Sequence, residues 1–97
     1  MEYLIALTED AKEDIAYFEA SDQRMIVAGI MTYLKRDAET ETRRKKQLRP
    51  NPIAPWELRV DRFRVFYSVE ERPNLKIVAV GHKEHNNLFI RGKMVQL

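Results

Sequence analysis

From Trp56 to Val69 the chain places bulky apolar residues at every second position, in the stretch PWELRVDRFRVFYSV. A period of two is the signature of a half-buried strand, so the pattern predicts two strands joined by a short turn at Asp61 and Arg62. One face carries Trp56, Leu58, Val60, Phe63, Val65, Tyr67 and Val69, and the other carries Glu57, Arg59, Arg64 and Phe66. With a two-residue loop, Val60 pairs with Phe63 and Arg59 stands opposite Arg64 on the face away from the core. A three-residue loop with a bulge would shift that pairing by one. Opposed like charges repel, so the first register calls for an anion from outside, although two arginines on a solvated strand face also arise by composition alone.

The remaining pattern supplies the partners of this hairpin. Tyr3–Leu7 is an apolar run of strand length. Thr8 then serves as an N-cap, with Glu9 and Asp10 in the first turn of a helix to about Glu19. Ala11, Ile15 and Phe18 line its apolar face, leaving Lys12, Glu13 and Asp14 to water. Ser21 and Asp22 cap a second amphipathic helix, built on Met25, Ile26, Gly29, Ile30, Tyr33 and Leu34 and running to Ala38 or beyond. So short a connection makes the two helices an antiparallel pair with one apolar surface for a sheet. After the hairpin, Pro73 and Asn74 mark a turn, and Leu75–Gly81 is the most continuous apolar strand, hence central. Asn86–Ile90 is expected as a short last helix. The expected architecture is α+β in the order β-α-α-β-β-β, a small antiparallel sheet with both N-terminal helices on one face and a short C-terminal helix.

Composition narrows the class. The chain has 97 residues, of which 44% are apolar and 33% charged, which fits a single folded domain over residues 1–97. It contains no cysteine, so no disulfide framework or thiolate metal site is available, in keeping with a reducing cytoplasm. The N-terminus lacks a basic leader, and no apolar run nears the roughly 20 residues of a membrane span, so a soluble, cytoplasmic protein is expected. The net charge of +2 conceals a division: residues 1–42 carry −6 and residues 43–97 carry +8. Arg43, Arg44, Lys45, Lys46 and Arg49 form a basic run just before the hairpin, read as a helix end or loop. Such a half suits a polyanion, either nucleic acid or an acidic protein segment.

Several familiar chemistries find no support. With three glycines there is no phosphate loop, and no serine elbow is present. His82 and His85, three apart, lack a third ligand, so no metal site and no cofactor are expected. What remains is a set of cations with a few proton-transferring groups. RNA cleavage by its own 2′-hydroxyl needs a base for that proton, a cation for the phosphorane and an acid for the leaving oxygen. Arg59 and Arg64 suit the second role, because a guanidinium fork matches phosphate and never loses its charge. Lys83, with His82 and His85 beside it, can supply proton transfer, and Glu57 lies on the arginine face as a candidate base. Lys45, Lys46 and Arg49 are candidate RNA contacts.

The succession KKQLRPNPIAPWELRVDRFRVFYSV followed by KIVAVGHKEHNNLFI resembles the RelE/ParE family of small toxins from bacterial toxin–antitoxin pairs. The likeness is carried by L-R-V, F-R-V-F-Y and V-G-H-K-E, and nearly the whole chain follows that family's element order. It implies the microbial-RNase-type fold of that family, a cognate antitoxin as partner, and a heterotetramer with it as the assembly. In RelE-type members the activity is metal-free cleavage of messenger RNA in the ribosome, which makes ribosome and mRNA the implied targets and inhibition of translation the outcome. By the same resemblance Arg59 falls on a catalytic strand position, Arg64 matches a phosphate-stabilising arginine, and Lys83 stands where another arginine is usual. Phe89 takes the place of a functional tyrosine, able to stack on a base but without a hydroxyl, and Glu57 replaces a lysine. ParE-type relatives share the fold but act on DNA gyrase without a catalytic set. A third reading is a degenerate member that only binds its antitoxin.

Overall fold

The computed structural model describes residues 2–97. Its sheet is built around β3 (Trp56–Val60), β4 (Phe63–Glu71) and β5 (Asn74–Glu84), the antiparallel meander that the alternation predicts. Val60 pairs with Phe63 and Arg59 with Arg64, so the two-residue loop holds, with Asp61 at φ 55° taking its left-handed position. Trp56, Leu58, Val60, Phe63, Val65 and Tyr67 all enter the main core, as their face requires.

β5 is central in an unusual way. One edge pairs with β4 from Asn74 to His82, while the other is divided between β1 (Leu4–Leu7), which meets Asn74–Ile77, and β6 (Asn87–Ile90), which meets His82–Glu84. The β1 pairing is parallel, so the sheet is mixed rather than antiparallel throughout. Between those two partners β5 has no strand neighbour, and α1 (Glu9–Ala16) fills the gap. Thr8 caps α1 as predicted, its Oγ1 accepting from Ala11 N–H at 3.0 Å, and its own N–H donates to the Ile77 carbonyl at 3.0 Å. Asp14 Oδ2 accepts from Val80 N–H at 3.0 Å.

Asp14 was expected in water and is instead buried, with an exposure of 1%. It lies three residues after Ala11 and therefore on the same helix face, where the sheet presents it with an otherwise unpaired donor. Burial raises its pKa above the ordinary carboxylate value of 3.8, against the Val80 N–H bond and the nearby Arg91 guanidinium, both of which favour the charged form. The folded state thus holds the Asp14 proton more tightly than the unfolded chain does. Asp14's contribution to stability is full below pH 3.8 and declines as pH rises through the raised folded value. Asp14→Asn flattens that slope in equilibrium unfolding measured across pH. Asp14→Ala also removes the titration and leaves Val80 N–H buried without a partner, at a cost of about 1–3 kcal/mol.

Both helices end earlier than their apolar periodicity predicts. α1 stops at Ala16 because Phe18 turns inward onto Phe63, ring centroids 5.0 Å apart. α2 (Ala20–Leu34) begins before Ser21 and Asp22, so neither is its cap, and Asp22 instead pairs with Arg62 of the hairpin turn at 3.1 Å. Gly29 lets α2 lie directly on β3, since a Cβ there would come within 2.6 Å of Val60 Cγ2. Ala38 lies beyond α2, where its carbonyl accepts a 2.6 Å bond from the buried Tyr67 hydroxyl. α1 covers β5 and α2 covers β3, so both helices share one face of the sheet, as expected.

Two elements differ in kind from the expectation. The basic run is an edge strand, β2 (Lys45–Gln47), paired with β3. The C-terminal segment is not a helix but a hairpin of β6 and β7 (Lys93–Val95). Its two turns, His85–Asn86 and Arg91–Gly92, each have positive φ at both central residues, which matches the twist of paired strands and leaves no helical register for Asn86–Ile90. This hairpin and the 48–54 loop cover part of the sheet face opposite the helices, where Phe66, Ala79 and Leu88 form a second small core with Ala54. Among the described residues no helix is long and apolar enough to cross a membrane.

Candidate active site

Strand alternation decides which cations meet. Lys45 pairs with Leu58 and points toward the helices, whereas Lys46 pairs with Glu57 and points to the other face. One residue before β2, the Arg44 carbonyl accepts from Arg59 N–H at 2.8 Å, so Arg44 stands across from Arg59 as Arg59 stands across from Arg64. Arg64 in turn faces Gly81 of β5. The outcome is a row of three arginines across adjacent strands, roughly 4.8 Å per step.

These residues line a cleft of about 230 Å³ with Thr42, Arg43, Arg44, Lys46, Glu57, Arg59, Arg64 and Lys83 in its walls. Six cations face one carboxylate. Arg64 is the most fixed of them, since Nη1 donates to the carbonyls of Asp61 at 2.8 Å and Phe63 at 2.9 Å, and its side chain is only 14% exposed. Burial lowers its pKa from the ordinary arginine value, Glu57 opposes that shift and Arg59 adds to it; at so high a starting value the guanidinium stays charged. Arg59 is exposed, and among the described residues its side chain has no hydrogen-bond partner.

Glu57 lies buried at the base of the cleft, with Lys46 Nζ 3.9 Å from Oε1 and Arg64 Nε 3.9 Å from Oε2. It offsets part of the arginine repulsion and holds Arg64 at the cleft floor. The surplus of positive charge still leaves room for a phosphate, which the guanidinium forks of Arg59 and Arg64 can grip from two strands.

Of the residues singled out from sequence, Glu57, Arg59, Arg64, Lys83 and Lys46 come together here. The others do not. Lys45 is buried, its ammonium donating to the carbonyls of Tyr33 at 3.3 Å and Asp37 at 2.7 Å, so it ties off the end of α2. Desolvation lowers its pKa. Arg49 belongs to the loop after β2, outside the cleft. His82 and Phe89 pair across β5 and β6 on the helix side of the sheet, rings stacked at 5.4 Å with Phe18 edge-on, and His85 occupies a hairpin turn. Thr42, Arg43 and Arg44 were not foreseen as cleft residues. Extending the β2 alternation back by one would have placed Arg44 beside Arg59.

No protein-family model matches the sequence, and no curated protein is significantly similar to it. Among solved structures, a chain of the RelBE2 toxin–antitoxin complex from Mycobacterium tuberculosis superposes with a TM-score of 0.68 at 21% identity, over 86% of this chain and 100% of that one. This chain therefore has a RelE-like α+β fold.

Proposed function

We propose that this protein is the toxin of a toxin–antitoxin pair and a metal-independent endoribonuclease that cleaves messenger RNA on the ribosome. The observation that carries the reading is the cleft itself, in which two opposed arginines and four further cations surround one carboxylate on an open sheet face. In the reaction, the 2′-oxygen forms a bond to phosphorus as the bond from phosphorus to the 5′-oxygen breaks. Glu57 accepts the 2′-hydroxyl proton and Lys83 delivers one to the departing 5′-oxygen, giving a 2′,3′-cyclic phosphate and a 5′-hydroxyl. Arg59 and Arg64 hold the extra negative charge on the phosphorane. The RelE-like fold supports a cognate antitoxin as partner, and the reaction belongs in the cytoplasm.

Expressing the chain without antitoxin, while mapping mRNA 5′ ends and DNA supercoiling in the same cells, tests this reading. New ends inside translated codons, absent from an Arg59→Ala/Arg64→Ala double variant, are expected. Intact messages with lost supercoiling would transfer the protein to gyrase inhibition, and neither effect would leave an antitoxin-binding module. Glu57→Gln removes the proton acceptor while keeping the shape. It lowers the maximal cleavage rate by about 10²-fold with KM unchanged or smaller, because a negative charge has left the anion site. An unaltered rate would remove Glu57 from proton transfer.

A further inference from the structure

One contact at the rim of the cleft has no part in the chemistry above. The Arg44 guanidinium carbon lies 4.7 Å from the centroid of the Tyr33 ring. Both partners are held from behind. Thr42 Oγ1 accepts from the N–H groups of Arg44 at 3.2 Å and Lys45 at 3.1 Å, and Thr42 N–H donates to the Lys45 carbonyl at 2.9 Å, which closes a tight turn just before β2. The Lys45 ammonium bonds the Tyr33 carbonyl, so the residue after Arg44 is tied to the helical turn that carries the ring. Arg44 is nevertheless exposed and lines the same cleft as Arg59 and Arg64, in register with both.

We propose that the Arg44–Tyr33 pair is a nucleobase platform that selects the base beside the phosphate gripped by Arg59 and Arg64. A guanidinium is planar and stacks on π-faces, and one already resting on an aromatic ring has little side-chain freedom left to lose when a base settles on its outer side. Bases of single-stranded RNA are recognised in this way, on aromatic rings and arginine planes. The row Arg44, Arg59, Arg64 sets the backbone of Arg44 two strand spacings, roughly 10 Å, from that of Arg64. That puts a base within reach while its own phosphate stays in the cleft. Purines present the larger stacking surface, so they are favoured at this position. Arg44 is a specificity residue here, separate from the groups that stabilise or protonate the reacting atoms.

This inference rests on the nuclease reading, and the test separates the two. Purified chain is added to ribosomes programmed with messages that differ only in the base on either side of each cut, for the natural sequence, Arg44→Ala, Arg44→Lys and Tyr33→Leu. The natural sequence is expected to favour a purine at one flanking position. Arg44→Ala raises KM by about tenfold and levels that preference among codons. Arg44→Lys restores much of the KM through its charge but not the preference, and Tyr33→Leu weakens the preference with Arg44 intact. Cleavage by Arg44→Ala with undiminished base preference, or a natural sequence with none, overturns the platform and leaves the nuclease standing. No cleavage by the natural sequence overturns both.

Discussion

Arg64→Ala is expected to lower the rate of RNA cleavage by about 10²–10³-fold, the loss seen when one preorganised donor to a developing oxyanion is removed. The size of the effect follows from how Arg64 is held. Its Nη1 is fixed by the Asp61 and Phe63 carbonyls and its Nε faces Glu57, so the guanidinium is aimed at the cleft before any ligand arrives. Preorganisation of this kind acts at the transition state without a cost of reorientation. Arg64→Lys keeps a positive charge but cannot bond both carbonyls and still present a fork, so it recovers only part of the rate. The lost hydrogen bonds cost about 1–2 kcal/mol of stability, and the variant remains folded. Single-turnover rates on programmed ribosomes, compared with the circular dichroism of each variant, check both halves. A rate within about threefold of the natural sequence would remove Arg64 from charge stabilisation.

The second large effect is structural. Gly81→Ala is expected to cost about 3 kcal/mol, at the upper end for overpacking, and to lower Tm by roughly 10–20 °C. A Cβ at Gly81 would press on the Phe89 carbonyl oxygen and reach within 3.0 Å of Ile90 Cγ1 and 3.2 Å of Leu88 Cδ1. The obstacle is backbone of β6, which cannot rotate away as a flexible side chain would. The hairpin of β6 and β7 must lift from β5, breaking the pairs His82–Phe89 and Lys83–Leu88 and opening the small core around Phe66. Faster amide exchange confined to residues 87–95, together with the lower Tm, is the expected signature. A Tm change of about 3 °C or less would mean that β6 yields without strain.

These two residues also show how far the sequence could be read. The Arg59–Arg64 register was one of two that the alternation on both strands allowed, and the two-residue turn at Asp61 and Arg62 is what selects it. Gly81 was read as the end of a strand, whereas it is the point at which β5 passes under β6. The C-terminal hairpin was missed because His85, Asn86 and Arg91 adopt positive φ without being glycine, and of its two turns only Arg91–Gly92 carries that residue. Lys45 was grouped with its basic neighbours as a candidate RNA contact. Once β2 forms, alternation sends Lys45 to the helix end and Lys46 to the cleft, a division that composition cannot reveal. His82 and Phe89 were separated from the arginines for the same reason, since their partner across β5 and β6 puts them on the helix side.

In the proposed reaction the cleft holds a phosphate of RNA and promotes attack by the neighbouring 2′-hydroxyl. Incubating the purified chain with ribosomes carrying an end-labelled message, and analysing the chemistry of the fragment ends, tests it most directly. Cuts within the occupied codon that leave a 2′,3′-cyclic phosphate and a 5′-hydroxyl are expected, together with their loss in the Arg59→Ala/Arg64→Ala variant. An intact message, fragments bearing 5′-phosphates, or undiminished cutting by the double variant would contradict it.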